Sequence, residues 1–314
     1  MNHPLAPFGR RLLRVTGNEE LGAYRVLRVA DPEGPAPAPG QFAMLAAAER
    51  WGGGEDERPY LPRAFSYARF TAGGEAHFLL EDVGPGTHRL CELRSGEEIG
   101  VLGPLGIGFT APTEGGRAIL VGGGAGIAPL AIWQDALLRC ESAAEGNSAP
   151  APATGCALTV LLGFRDRAHA AGAALLRDAQ LATDDGSVGV HGLVTELLAD
   201  QLDADPQAST DQQASADPKG SADPQASART GNELRATVYA CGPAPMLEAV
   251  RALCAERSVD AQLALESGMA CGFGACFGCV VPRSGGGYLR VCVEGPVVDA
   301  AELDCVEAHA GAPV

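Results

Sequence analysis

The sequence predicts a multidomain chain: a small antiparallel β-barrel, an α/β nucleotide-binding domain on a parallel sheet, and a compact C-terminal unit organised by metal. Three observations carry this. Short apolar strands follow one another up to about residue 112, a glycine turn joins an apolar strand to a helical pattern within 117–140, and CGFGACFGC at 271–279 joins Cys292 in a close set of four thiols. The expected boundaries are 1–112, 113–260 and 261–314.

The barrel strands are read from LLRVT at 12–16, YRVLRVA at 24–30, QFAMLAA at 41–47, AFSYARF at 64–70, AHFLLE at 76–81 and EIGVLGPLG at 98–106. Glycine, proline and charged residues punctuate them, as in a small barrel or sandwich. Beyond residue 112 the pattern changes. RAILVGGGAGIAPLAIWQDALLRC at 117–140 reads as buried strand, glycine turn and helix, and LTVLLGFR at 158–165 and ATVYACGP at 236–243 read as further buried strands. PMLEAVRALCAER at 245–257 supplies another helix, and continuous apolar strands alternating with helices imply a parallel sheet covered on both faces. Two stretches break the pattern. Residues 141–155 lack periodicity, and 201–230 repeats ADPQAS, ADPKGS and ADPQAS, compositions too poor in apolar side chains to offset the entropy of ordering; both read as solvent-exposed insertions.

The four thiols follow the spacing Cys-x4-Cys-x2-Cys-x12-Cys: Cys271, Cys276, Cys279 and Cys292. Thiolates are soft ligands, which narrows the metal to zinc, copper or iron with sulfide. One knuckle preceded by a four-residue gap favours a plant-type 2Fe-2S cluster over structural zinc, which usually takes two knuckles. Structural zinc and a reactive thiol cluster remain the alternatives. Gly272, Gly274 and Gly278 suit a loop that must turn tightly and aim N–H groups at sulfur. The other cysteines, at 91, 140, 156, 241, 254 and 305, lie apart among apolar or alanine-rich neighbours and read as small buried hydrophobes without disulfides.

Composition narrows the partners. With 23 Lys and Arg against 39 Asp and Glu, the net charge of -16 argues against nucleic acid or an anionic membrane surface. No apolar run is long enough to span a bilayer, and MNHPLAPFGRRLLRV lacks a continuous signal-peptide core, so a cytoplasmic location is expected.

Each remaining motif has a plain structural reading beside a functional one. In RAFSY at 63–67 strand alternation puts Arg63 and Phe65 on one face and Ala64 and Ser66 on the other, which alone fits an edge strand with a solvated arginine. VGPGTHRL at 83–90 adds a glycine turn with Gly86 and Thr87 at an expected helix start, a place for an anion. GPLGIGF at 103–109 suits close approach of a planar ligand or tight strand exchange. VGGGAGIAP at 121–129 sits between strand and helix, the context of a phosphate-binding loop, although the Rossmann spacing from Gly122 through Gly124 lands on Ile127 rather than glycine. CGPAPML at 241–247 follows a parallel strand, where Gly242 and Pro243 turn the chain beside a ligand crevice and Cys241 either lines it or packs below it. Glu266 reads as a packing or helix-surface residue, and the histidines at 77, 88, 169, 191 and 309 as surface or structural groups.

The ordered set RAFS, VGPGT, GPLGIGF, VGGGAGIAPL, YACGPAPML and ESGMACGFGACFGC resembles the electron-transfer subunits of NAD-dependent dihydroorotate dehydrogenases, within the ferredoxin-NADP reductase superfamily. The resemblance covers nearly all the chain except the two insertions. It implies an FAD-binding barrel, an NAD-binding α/β domain and a C-terminal 2Fe-2S domain. By it, Arg63 meets the FAD diphosphate or ribityl region, Ala64, Phe65 and Ser66 lie by the isoalloxazine, and Gly86 and Thr87 hold FAD phosphate. Gly122, Gly123, Gly124 and Gly126 form the NAD pyrophosphate loop; Cys241, Gly242 and Pro243 border the nicotinamide; Cys271, Cys276, Cys279 and Cys292 ligate the cluster. GFRD at 163–166 falls where relatives distinguish the adenosine ribose, and a lone Arg165 is thin support for NADP, so NAD is expected. Phe65 departs from the β-branched aliphatic of many relatives without removing a named role.

The activity so implied is oxidoreduction in pyrimidine biosynthesis. Electrons from dihydroorotate leave the FMN of a separate catalytic subunit, cross the cluster to FAD, and pass as hydride to NAD+, in a heterotetramer of two plus two subunits. No acid/base residue is needed on this chain. Reductase subunits of other NAD(P)-linked systems, such as sulfide dehydrogenase or NADPH-ferredoxin oxidoreductase, share these modules and form the alternative. A nonenzymatic structural or regulatory module is the third reading, and it has no need of four soft ligands beside two nucleotide loops.

Overall fold

All six apolar segments before residue 112 form strands: β1 (Arg11–Leu21), β2 (Tyr24–Ala30), β3 (Phe42–Ala47), β4 (Arg63–Phe70), β5 (Glu75–Glu81) and β6 (Glu98–Leu105). The structure, a computed structural model, describes residues 10–52, 59–113, 116–142, 157–204 and 236–306. The strands close into an antiparallel barrel in the order β1-β2-β5-β4-β3-β6, with β1 pairing β6, which removes the exposed edges an open sheet would carry. Helix α1 (Pro85–Cys91) lies between β5 and β6 in sequence. Leu27, Val29, Leu45, Tyr67, Phe78, Leu80, Ile99 and Val101 fill the interior. Each aliphatic or phenylalanine side chain so buried contributes about 1.5–3 kcal/mol.

The second unit runs β7 (Arg117–Gly123), α2 (Ile127–Ser142), β8 (Ala157–Phe164), α3 (Arg167–Ala170), β9 (Ala179–Thr183), β10 (Val190–His191), α4 (Val194–Asp203), β11 (Ala236–Cys241), α5 (Ala244–Glu256) and β12 (Asp260–Ala264). After β12 come a hairpin of β13 (Val280–Pro282) and β14 (Tyr288–Arg290), a turn of helix α6 (Val291–Glu294) and β15 (Val297–Asp299). The sheet order is β10-β9-β8-β7-β11-β12-β15, parallel except for β12 with β15. Strand order reverses about β7, whose neighbours are β8 on one side and β11 on the other. In such sheets that reversal opens a crevice at the carboxyl ends of the strands.

The topology qualifies the expected boundaries. A division at residue 260 falls on the first residue of β12, which belongs to the parallel sheet, and β15 brings the C-terminal segment back to that sheet's edge. The cysteine unit is therefore a loop-and-hairpin excursion between β12 and β15. The presumed insertions at 141–155 and 201–230 overlap α2, which reaches Ser142, and α4, which reaches Asp203; the remainder, and the repeats beyond Ala204, lie outside the described residues. Asp203 is tied into the domain by a bond from Arg257 Nε at 2.8 Å.

Barrel and sheet are fastened together. Ala23 N donates to the carbonyl of Ala168 at 3.0 Å, and Arg69 Nε on β4 donates to Asp135 on α2 at 2.9 Å. Among the described residues no helix is long and apolar enough to cross a membrane.

Candidate functional site

The reversal about β7 puts two loops side by side. Gly126 comes so near the turn after β11 that a Cβ on it would lie 2.6 Å from both the Cα and N of Gly242, and a Cβ on Gly123 would lie 2.6 Å from the Met246 sulfur and 3.1 Å from Pro243. Backbone thus excludes a side chain at Gly126, and the Met246 and Pro243 side chains crowd one at Gly123. A cavity of about 520 Å³ occupies it, within the range that takes a nucleotide-sized ligand. Gly123, Gly124, Gly126 and Pro243 line it at one end; Phe164, Arg165 and Asp184, near the carboxyl ends of β8 and β9, line the other. Gly122 is buried beneath, with Leu162, Ile127 and Leu130 where its side chain would go.

The barrel forms the opposite wall through Tyr24 and Glu81. Arg165 donates to Glu81 at 2.6 Å, so an ion pair crosses from the α/β unit to β5. His169 joins it, its Nε2 3.4 Å from Glu81, its Nδ1 2.8 Å from Asp166 and its ring edge-on to Tyr24. Asp166 caps α3 by accepting from the N–H groups of Ala168 and His169. His169, expected to be a surface or structural group, stands on the cavity wall.

Glu266, expected to be a packing or helix-surface residue, is not on a helix. It follows β12 in extended chain and faces the cavity. By accessible area Glu266 is exposed at the cavity, yet burial of its carboxyl, and then the charge of Glu81, raises it above the usual glutamate range. Cys241 lies below the surface, 3% exposed and packed with Tyr239 and Ala264, and its thiol is pushed well up by burial and then by Glu266. Of the 241–243 turn it is Pro243 that lines the cavity, and the Cys241 thiol does not.

On the barrel, Arg63 opens β4 and its guanidinium packs on α1, where a Cβ on Gly86 would be 2.5 Å from Nε. Nη1 donates to the Leu61 carbonyl at 2.7 Å, while Nε is buried with no hydrogen-bond partner. Among the described residues no carboxylate pairs with Arg63, and burial holds its guanidinium below its ordinary range while leaving it charged. The Thr87 hydroxyl is engaged in its own loop, accepting from Val83 N at 2.9 Å and Gly84 N at 3.0 Å and donating to the Gly84 carbonyl at 3.0 Å; it shapes the turn that presents Gly86. Phe65 and Ser66 are half-buried and Ala64 exposed on the same strand.

The thiols fall into two pairs. Cys276 N donates to the Cys271 sulfur at 3.4 Å and Gly278 N to the Cys276 sulfur at 3.4 Å, and across the loop Cys292 N donates to the Cys279 sulfur at 3.5 Å. The hairpin of β13 and β14 carries the chain back, so that Val291 N bonds the Cys279 carbonyl at 3.0 Å and Cys292 arrives beside Cys279. The Cys292 thiol, followed by backbone N–H groups, stabilises the Cys279 thiolate and brings it down to about 6; burial opposes the same shift at Cys271, but N–H groups of Phe273 and Cys276 bring it to about 7. Cys292, the proton-bearing partner, is raised. Among the described residues no three His, Cys, Asp or Glu side chains are gathered tightly enough to hold a single metal ion. Four thiols with N–H groups directed at three of their sulfurs make a soft donor set of the kind that takes an iron-sulfur centre.

The loop is seated against the barrel. Gly272, at φ +77°, leaves no room for a side chain, since a Cβ there would be 2.5 Å from Met44 Cγ on β3 and 3.2 Å from Leu105 on β6. Phe273 and Phe277 stand out to solvent on the same loop, Phe277 61% exposed, with the Arg290 guanidinium 5.2 Å from its ring centre. Cys254 is buried and Cys91 and Cys305 are half-buried.

A closed barrel is joined to a parallel sheet with paired glycine turns, with a thiol-bearing excursion off its last strands. Solved structures share that fold. An NADH-dependent reduced ferredoxin-NADP oxidoreductase covers 95% of this chain and 91% of its own at TM-score 0.67 and 23% identity, and the ferredoxin reductase of carbazole 1,9a-dioxygenase covers 81% and 67% at 0.54 and 20%. The iron-sulfur cluster binding domain of dihydroorotate dehydrogenase B matches residues 266–304. The electron-transfer subunit of dihydroorotate dehydrogenase B (NAD(+)) from Geobacillus thermodenitrificans is 34% identical over 274 residues, spanning 84% of this chain and 86% of the relative; that of Desulforamulus reducens is 31% identical over 272 residues, spanning 82% and 84%. The chain belongs to the family of dihydroorotate dehydrogenase B electron-transfer subunits.

Proposed function

We propose that this chain carries electrons from a dihydroorotate-oxidising subunit to NAD+ in pyrimidine biosynthesis, with FAD between barrel and sheet, NAD in the cavity and a 2Fe-2S cluster on Cys271, Cys276, Cys279 and Cys292. One observation carries this reading: the thiol loop leaves the sheet beside the cavity residue Glu266 and packs through Gly272 on the barrel's Met44, so that one segment links the cavity, the thiols and the barrel. When bound, FAD and the cluster supply the redox chemistry, joining one-electron transfer to hydride exchange.

The chain's own residues bind and orient. Arg63, with its unpartnered Nε beside Gly86, is placed to hold the flavin diphosphate, and Ala64, Phe65 and Ser66 continue the same strand toward the ring. Gly122 and Gly123 end β7, and Gly124 and Gly126 turn the chain after it so that α2 begins at the dinucleotide pyrophosphate, while Gly242 and Pro243 form the nicotinamide border and Cys241 supports it from below. N–H groups aimed at three sulfurs stabilise thiolate and so tune the cluster.

The partner in this reading is an FMN-containing dihydroorotate dehydrogenase catalytic subunit in a two-plus-two heterotetramer. The exposed Phe273 and Phe277 give the thiol loop an aromatic face suited to burial in a protein interface. Purified anaerobically, the chain is expected to release FAD on denaturation and hold about two irons and two sulfides, as a Cys₄ [2Fe–2S] site requires. With the catalytic subunit it should support orotate-dependent NADH oxidation that neither shows alone. Zinc without sulfide, or activity with ferredoxin or sulfide in place of orotate, overturns the assignment.

A further inference from the structure

The ion pair across the cavity has a consequence for ligand choice. Arg165 directly follows β8, the strand next to β7, and in dinucleotide-binding sheets this is where an acidic side chain selects the ribose 2'-hydroxyl or an arginine accepts a 2'-phosphate. An arginine there should favour NADP. In this chain that arginine is already engaged, its Nη2 2.6 Å from Glu81 and 3.0 Å from His169 Nε2. The groups around it are predominantly acidic: Glu81, Asp184 and Glu266 line the cavity with Arg165 and His169, and Asp166 stands behind His169. A 2'-phosphate would bring about two further negative charges toward these carboxylates and would have to displace Glu81 to reach Arg165.

We propose that Glu81, a barrel residue, is the determinant that excludes 2'-phosphorylated dinucleotides, by holding Arg165 across the cavity and by its own charge. The inference rests on the dinucleotide reading of the cavity. Glu81 acts on the ligand through Arg165 and is a positioning residue. It comes from the barrel rather than the α/β unit, so specificity is set by how the two units meet.

The test uses the purified full chain with its flavin and two probes that differ only in the phosphate, 5'-AMP and 2',5'-ADP, titrated by calorimetry at low salt, with KM for NADH and NADPH measured in parallel. Glu81→Gln, which keeps the shape and removes the charge, is expected to move the 2',5'-ADP to 5'-AMP affinity ratio about tenfold toward the doubly phosphorylated probe, with the KM ratio following. Arg165→Ala added to that variant should cancel the gain. Glu81→Asp, which keeps the charge, should stay near the starting ratio, and raising salt should shrink the change. A ratio unmoved by Glu81→Gln, or equal tightening of both probes as expected of an arginine freed to grip the pyrophosphate, overturns the proposal while leaving the cavity reading intact. Binding of neither probe to any form overturns both.

Discussion

Gly126 and Gly242 meet backbone to backbone: a Cβ on the first would stand 2.6 Å from the Cα and N of the second. Two loops separated by more than a hundred residues of chain thereby share one wall of the cavity. Replacement of Gly126 by alanine must push them apart, because backbone cannot move aside as a flexible side chain can. The expected cost is about 1–3 kcal/mol in urea unfolding, typical of overpacking, with KM for NADH raised about tenfold. Unchanged stability and KM would show that the contact is dispensable.

The Cys276 sulfur is the most exposed of the four and Cys279 and Cys292 are buried, so single substitutions should separate relay from folding. Cys276→Ser is expected to cut orotate-dependent NADH oxidation at least about a hundredfold while direct reduction of FAD by NADH, followed by absorbance, stays within about twofold. Cys279→Ser should in addition destabilise the chain, since it breaks a buried pair. Equal loss of both activities in Cys276→Ser would point to a cluster needed for folding.

Much of this arrangement was legible in the sequence because it depends on local pattern. Alternating apolar segments gave the six barrel strands, an apolar strand before a glycine turn located the loop after β7, and soft-ligand spacing picked out the thiols. What escaped depends on side chains meeting across space. Glu81, His169 and Glu266 come from the end of β5, from α3 and from the chain just beyond β12, and a single polar residue at such a place has no neighbours in sequence to mark it. The three-residue β15 is too short for periodicity to distinguish it from loop, and only its pairing with β12 makes it part of the sheet. Cys241 was legible as the residue of a ligand-facing turn, but whether its thiol or its backbone faces the ligand is decided by strand pleat, which here turns the sulfur into the core.

Seating of the thiol loop should depend on Gly272. Its φ of +77° strains any side chain and its Cβ position is filled by Met44, so Gly272→Val meets both obstacles. Iron content below half of the unmodified level is expected, with FAD content retained because Arg63 and Gly86 lie elsewhere on the barrel. Gly272→Val combined with Met44→Ala relieves only the steric part and should recover only part of the iron. Full iron in the single variant would show that the loop is not seated on the barrel as described.

The repeats beyond Ala204 can be removed if the cut respects α4. Excision of 205–228 is expected to leave cofactor content and activity within about twofold, because ADPQAS-type sequence has little apolar surface to bury. Excision of 203–228 takes Asp203 as well and with it the carboxylate that pairs Arg257. Asp203 is exposed, so the expected further loss in denaturant unfolding is small. A chain that lost its flavin on the shorter excision would show that the repeats take part in the site.

Glu266 offers a test by pH. Burial first, and the charge of Glu81 second, raise its carboxyl above the ordinary value of 4.5, so the folded-state pKa exceeds the unfolded one. For an acid shifted in that direction the folded state is favoured while the group is protonated. That advantage is fully present below the unfolded value and is lost as pH rises through the folded one, leaving the ionised group as a burden at neutral pH. Glu266→Gln is therefore expected to raise the Tm of the ligand-free chain at pH 7, by no more than about 2 °C given how much of the side chain meets water. The gain should fade toward pH 4, where the native glutamate is protonated too. It should also shrink in a Glu81→Gln background, since one cause of the shift is then gone. A gain independent of pH would assign the effect to packing instead of charge, and a loss of stability at pH 7 would mean that the carboxylate holds a favourable bond in the folded protein.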